Sequence, residues 1–311
     1  MRFQAVLALC AALLAATSAS AQKRIALSFD DVPRAAGGFL TPDRRTAMLV
    51  AGLKKARVPQ AAFFVTPGNL AQPGGKGGEA RIAAYARAGH VIGNHSWSHW
   101  WLHRTPAAAY VADLDRASAW LKGRAGYRPW FRFPYLDEGR RDLAKRAEVR
   151  AALAARGLRN GYVTVDDYDW HLDALATAAR RAGKRIDMAA LRDLYVETLV
   201  GAAEFYDRIA RDALGRQPAQ VLLLHETDLN ALFAEDLVRG LRRAGWAIIG
   251  MDEAYRDPIA AREPDGWFTA GGRVAALAQE TGRAPKDLID PRTDEAVLTA
   301  LFRARVLKEK T

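Results

Sequence analysis

The chain has 311 residues, half of them hydrophobic, with a formal net charge of +11 and a single cysteine. That is enough chain to bury the core of one large domain or two small ones, and one cysteine excludes a disulfide framework. The positive balance favours acidic partners, whether nucleic acid, anionic lipid or an anionic polymer, although arginines scattered along Ala-rich helical stretches also fit a plain solvated surface.

Residues 1–21 differ from the rest. Arg2 precedes the apolar run "AVLALCAALLAA", and "ATSASA" ends it with small residues at Ala19 and Ala21. This reads as a secretory signal peptide, with the mature chain starting near Gln22. The run is shorter than the ~20 residues of a membrane span. The expected location is periplasmic or extracellular, with no nucleic-acid partner and no stable span after cleavage.

Seven short apolar runs follow in order: "RIALSF" (24–29), "AAFFV" (61–65), "HVIGN" (90–94), "WFRF" (130–133), "YVTV" (162–165), "VLLLH" (221–225) and "WAII" (246–249). Helical patterns separate most of them, at 43–56, 79–88, 106–122, 140–156 and 230–243. Such alternation predicts a parallel sheet covered by helices, and seven strands suit a barrel, closed or with one gap, at least as well as an open sheet. Residues 171–217 form a helical insertion and 263–311 a helical tail, which leaves 22–262 as the main domain. "QPGGKGG" (72–78) is a loop and not a phosphate cradle, because Lys76 is followed by glycine.

In parallel α/β folds the working residues gather at the carboxyl ends of the strands. Here those ends carry Asp30 and Asp31, His95 and His99, Arg132 and Tyr135, then Asp166, Asp167, Asp169 and Trp170, and finally His225 and Glu226. Asp30 and Asp31 could cap the next helix, but adjacent carboxylates after a buried strand repel unless a cation compensates them. His95 and His99, four apart, would share a helix face and could hold one ion. Asp31 would complete a two-histidine, one-carboxylate set with open positions. His90, His103 and His171 have no such company and read as structural. Glu226 reads as a surface or supporting residue. Trp97 is expected to pack inside, Trp100 or Trp101 to line a cleft or the core, and Trp170 to wall the pocket.

The ordered set "SFDD", "HSWSH", "RFPY", "DDYDW" and "LLLH" resembles the five motifs of the polysaccharide deacetylases (the NodB-homology domain, carbohydrate esterase family four), over about residues 22–255. The resemblance implies a distorted (β/α)7 TIM-like barrel, here with the helical insertion and C-terminal tail. It implies a divalent metal, zinc with Co²⁺ as the alternative, held by Asp31, His95 and His99. Asp30 would be the general base with Arg132 holding its charge, and the Tyr135 backbone N–H would face the oxyanion. Asp169 would orient His225, the general acid, while Trp170 and Leu223 would line the acetyl pocket. The implied activity is N-acetyl removal from a peptidoglycan- or chitin-like polymer or oligomer. O-acetyl esters or a cyclic amide are the alternative substrates, and a non-catalytic glycan-binding protein is the remaining reading. Two loops depart from the family pattern: Val32-Pro33 follows the first motif where glycine is common, and Leu136-Asp137-Glu138 separates Tyr135 from Gly139.

Overall fold

The structure, a computed structural model, describes residues 22–309; the signal-peptide expectation falls outside them. Its centre is a parallel sheet of β1 (Arg24–Val32), β2 (Ala62–Val65), β3 (Val91–Asn94), β4 (Tyr127–Phe131), β5 (Arg159–Asn160), β6 (Gln220–His225) and β7 (Ala247–Ile248). The order is β5-β4-β3-β2-β1-β6, with β7 paired to the start of β1. The sheet curls. Past β5 the chain returns to the free edge of β6, where Val165 bridges Leu222. The fold is the expected α/β type, a curled half-barrel with helices around it.

Six of the seven expected strands overlap an observed one, but 162–165 does not form a ladder. The strand there is Arg159–Asn160, and Val165 makes an isolated bridge. Thr164 diverts pairing to its side chain: its hydroxyl accepts from the Val221 N–H at 2.8 Å, where a regular ladder would use a backbone carbonyl.

The helices are α1 (Pro42–Lys55), α2 (Gly78–Arg87), α3 (Ala107–Leu121), α4 (Leu143–Ala155), α5 (Asp169–Arg181), α6 (Met188–Leu214), α7 (Asp228–Arg243), α8 (Met251–Ala254), α9 (Gly272–Glu280) and α10 (Glu295–Leu301). Local chemistry sets their ends. The Thr41 hydroxyl accepts from the Arg44 N–H, Pro42 opens α1, and Lys54 and Lys55 sit against the carbonyl end of its dipole. Thr227 caps α7 in the same way. The long α6 packs against α7 and α9, burying Leu191, Leu194, Leu199 and Ile209. Among the described residues, no helix is long and apolar enough to cross a membrane.

Two features of the interior place the site. Phe29, Phe63 and Tyr85 stack with centroid separations of 4.9 and 3.7 Å, and the Tyr85 hydroxyl reaches Glu226 Oε1 at 2.6 Å. Phe64 lies between Gly93 and Gly161, where an added Cβ would meet its ring at 2.5 and 2.6 Å. Those two glycines leave room for the ring on which Arg132 rests, its Cζ 4.1 Å from the centroid.

Candidate active site

The carboxyl ends of the strands converge. Asp30, the penultimate residue but one of β1, pairs in register with His225, the last residue of β6. Arg132 follows β4 and is 1% exposed. Its Nη1 donates to both Asp30 oxygens at 2.9 and 3.1 Å, its Nη2 to Ser28 Oγ at 3.2 Å and the Tyr255 hydroxyl at 3.3 Å, and its Nε to the Gly161 carbonyl. A buried charge pair is tolerated when its remaining donors are satisfied, and here the guanidinium fork is fully used. The ordinary helix-capping role considered for Asp30 is therefore replaced by a salt bridge inside the barrel.

Asp31, the next residue, turns the other way because its backbone takes a left-handed conformation at φ 67°. Its Oδ1 lies 2.9 Å from His99 Nε2 and 3.5 Å from His95 Nε2. Ligand atoms of all three lie within 4.8 Å of one another. Asp31 Oδ1 is buried and lacks a hydrogen-bond partner, while Oδ2 accepts from Arg34 Nη1 at 2.6 Å. Burial works against the Asp31 charge, yet His99, His95 and Arg34 hold its carboxyl well below the usual range. His95 Nδ1 lies 2.9 Å from the Arg132 carbonyl, which fixes Nδ1 as the protonated nitrogen and turns the Nε2 lone pair towards the two aspartates, 3.5 Å from Asp31 Oδ1 and 3.6 Å from Asp30 Oδ2. Two imidazole nitrogens and one carboxylate oxygen, the last unsatisfied, form a donor set that fits zinc or a similar divalent ion.

The histidines do not share a helix face, as their spacing suggested. They sit in a loop after β3, where Ser96 and His99 have φ of 64° and 57°. Side chains build this loop: Asn94 Oδ1 accepts from Ser96 N–H, Ser96 Oγ from His99 N–H, and Asp113 Oδ2 from the N–H groups of Trp97 and Ser98, all at 2.8 to 3.0 Å. Two left-handed residues bring positions four apart together by another route. Left-handed non-glycine residues cost of order 1–3 kcal/mol each and cluster at functional sites. Asp31, Ser96, His99, Tyr135 and Tyr168 all belong to this rim.

Across the rim, Asp169 opens α5. Its Oδ1 lies 2.6 Å from His225 Nδ1, and its Oδ2 accepts from the His225 N–H at 2.8 Å and from Asn230 Nδ2. Burial disfavours the imidazolium, but the charge and hydrogen bond of Asp169, with a further contribution from Asp31, raise His225 to about 9. Asp167 Oδ1 caps the Asp169 N–H at 2.9 Å. Leu223 is buried on the same face of β6 as His225, and Trp170, next to Asp169, is 36% exposed.

Tyr135 stands in the left-handed region at φ 57°, its ring edge-on to His99 at 4.5 Å and stacked flat on Trp101 at 3.7 Å. Trp101 thus lines the rim, Trp100 is 44% exposed, and Trp97 is partly buried under Arg116, 3.9 Å from its ring. The structural reading of three histidines agrees with their surroundings. His90 accepts from the Ala61 N–H, His103 meets Asp137, and His171 meets Thr299 and the Glu295 carbonyl.

Of the two roles open to Glu226, surface or supporting, the structure shows the supporting one. Glu226 is fully buried and accepts from the Arg34 N–H at 2.7 Å, the Tyr85 hydroxyl and Thr46, so it pins the segment that follows Asp31. Sequence reasoning missed Arg34, Ser28, Asn230 and Tyr255. Arg34 alone carried a signal, lying three residues from an unpaired carboxylate.

Residues 17–157 match the family model described as polysaccharide deacetylase. That span includes Asp30 through Tyr135 and stops before Asp169 and His225. Among solved structures, the polysaccharide deacetylase Bc1974 from Bacillus cereus is 20% identical with a TM-score of 0.52, covering 74% of this chain and 92% of that one. BA3943 from Bacillus anthracis, described as a CE4 family pseudoenzyme, is 17% identical with a TM-score of 0.50, covering 75% and 66%. Its mutant with restored enzymatic activity is 18% identical with a TM-score of 0.52, covering 75% and 68%. At these identities the likeness establishes the fold. The stretch from the first strand to the turn after α4 is thus similar to the polysaccharide deacetylase family, and it carries Asp30, Asp31, His95, His99, Arg132 and Tyr135.

Proposed function

We propose that this protein is a secreted metal-dependent hydrolase that removes N-acetyl groups from an aminosugar polymer or oligomer of peptidoglycan or chitin type. The observation that carries the reading is the meeting, at one end of the sheet, of the Asp31–His95–His99 donor set with two carboxylate pairs of opposite character, Asp30–Arg132 and Asp169–His225. One fold neighbour is described as a pseudoenzyme, so the activity rests on these residues rather than on the fold.

Asp31, His95 and His99 would hold the ion, zinc in the first instance and Co²⁺ as the alternative. When bound, such an ion polarises an amide carbonyl and makes water a stronger acid. Asp30, kept from the ion by its salt bridge to Arg132, takes the proton of the attacking water. The new C–O bond places negative charge on the former carbonyl oxygen, and the Tyr135 N–H would serve as its donor. One such donor contributes typically a few kcal/mol. As the C–N bond breaks, His225 gives its proton to the departing nitrogen, and acetate and a free amine result. Asp169 keeps His225 charged and oriented for that step. Leu223 and Trp170 offer apolar surface to the acetyl methyl.

The test is acetate release by the purified protein, with Zn²⁺ or Co²⁺, from acetylated chitooligosaccharides and peptidoglycan. The Asp30→Asn variant should lose about 10²–10⁴-fold in rate while its metal content is unchanged. Full activity in that variant removes Asp30 as the base. Including O-acetyl esters and cyclic amides in the same panel separates N-deacetylation from the related hydrolyses, and glycan binding without turnover under either metal would mark a non-catalytic protein.

A further inference from the structure

Beside the metal-ligand cluster lies a cationic surface that the proposed chemistry does not use. Trp101 has one face on Tyr135, at 3.7 Å and 1° between planes. Two guanidinium groups attend the same indole: Arg104 Cζ is 5.6 Å and Arg140 Cζ 5.4 Å from its centroid. Both arginines are exposed. Among the described residues, neither has a carboxylate within salt-bridge distance, whereas Arg34, on the other side of the ligand cluster, is paired with Asp31 at 2.6 Å.

The Arg104 side chain and the Arg140 backbone are each held from behind. Arg104 Nε donates to His103 Nε2 at 3.2 Å, and His103 Nδ1 is fixed by Asp137 Oδ2 at 2.8 Å. Its two terminal amino groups stay free. Arg140 has a left-handed backbone at φ 52°, and its carbonyl accepts from Arg146 Nη2 at 2.9 Å. Two like charges beside one ring repel, and an anion between them relieves that repulsion. A guanidinium fork matches a carboxylate in shape and binds it through two parallel hydrogen bonds. The Tyr135 ring, 46% exposed, adjoins them and links this surface to His99.

We propose that Arg104 and Arg140, aligned by Trp101, form a subsite for the carboxylate of an acidic sugar adjoining the residue that is deacetylated. This rests on the deacetylase reading and narrows its substrate to an anionic glycan. Trp101 and His103 are positioning residues, and the two arginines make the contact.

The test compares two substrates with the metal-loaded protein. One is an acetylated glycan strand whose alternate sugars carry a lactyl-ether carboxylate. The other is the same strand with those carboxylates methyl-esterified. The wild type should favour the acidic strand in kcat/KM, and the preference should weaken as salt rises. In the Arg104→Gln/Arg140→Gln double variant the preference should fall about tenfold, through KM, as expected for loss of charge-assisted contacts at an exposed site. An unchanged preference, or an equal loss on both strands, overturns the proposal. Calorimetric binding of the acidic strand to the Asp30→Asn protein, with and without the two arginine changes, reads the subsite without turnover. If no strand releases acetate yet this binding still depends on the arginines, the deacetylase reading fails and the subsite stands.

Discussion

The molecule makes two carboxylate–imidazole clusters at one end of its sheet, and they differ in which ring nitrogen faces the acid. In the first, His95 commits Nδ1 to the Arg132 carbonyl and turns a bare Nε2 towards Asp30 and Asp31, and Asp31 Oδ1 lacks a hydrogen bond. In the second, His225 gives Nδ1 to Asp169, and a second oxygen of that carboxylate takes the His225 N–H. The first arrangement leaves lone pairs converging on a point and suits a cation. The second stores a proton on the imidazole, raised to about 9, and suits an acid. The same residue types thus serve as ligand or proton donor according to what holds the far side of the ring.

Removing a ligand should have the largest effect. His99→Ala should abolish stoichiometric metal, measured by elemental analysis, and lower activity by about a thousandfold or more, since a Lewis acid contributes several kcal/mol to such a reaction. The Asp169–His225 pair, which shares no hydrogen bond with His99, should keep its imidazole resonance in NMR. Undiminished metal content in His99→Ala would show that the first cluster is not a ligand set.

Much of this was legible in the sequence, for a physical reason. A buried parallel strand is a continuous apolar run, so a polar group at its carboxyl end stands out, and Asp30, His95, Arg132 and His225 were found that way. Conformation was less legible. A spacing of four suggested a helix for His95 and His99, but serine and asparagine side chains build a loop there that meets the same requirement. The strand expected at 162–165 failed because Thr164 competes for backbone partners with its own hydroxyl. Tyr255 and Asn230 were invisible, since they reach Arg132 and Asp169 from elements 123 and 61 residues away in the chain. For Glu226 the sequence left surface and supporting roles open, because a glutamate beside a histidine carries no sign that a tyrosine, a threonine and a backbone N–H will bury it.

The second cluster can be broken more gently. Asp169→Asn removes the charge that outweighs burial at His225, so the imidazole should fall from about 9 towards or below its ordinary ~6.5. A general acid must be protonated, so the basic limb of kcat/KM should move down by about two pH units. At neutral pH the rate should drop by about 10–100-fold, with metal content unchanged. Stability follows the same sign. A histidine raised on folding stabilises the protein fully below its unfolded value near ~6.5 and loses that contribution as pH rises through about 9. Chemical denaturation of the wild type at pH 6 and pH 10 should show this difference, and Asp169→Asn should reduce it. A basic limb that stays in place assigns it to another group.

The smallest expected effect probes what holds the first cluster rather than the cluster itself. Asp113, on α3, touches no ligand, but its Oδ2 accepts from the N–H groups of Trp97 and Ser98 between the two histidines. Asp113→Ala leaves those two donors without their partner, which costs about 1–3 kcal/mol of stability. Because the loop fixes where His99 stands, metal affinity should weaken by about tenfold, the lower range for a supporting residue. The pH limb assigned to His225 should not move, since Asp169 and Asn230 hold that ring from α5 and α7. Titration of metal into the apoprotein and a pH profile at saturating metal separate the two. If the affinity holds while stability falls, the loop is merely packed by Asp113, and the strained residues Ser96 and His99 carry the geometry of the ligand set themselves.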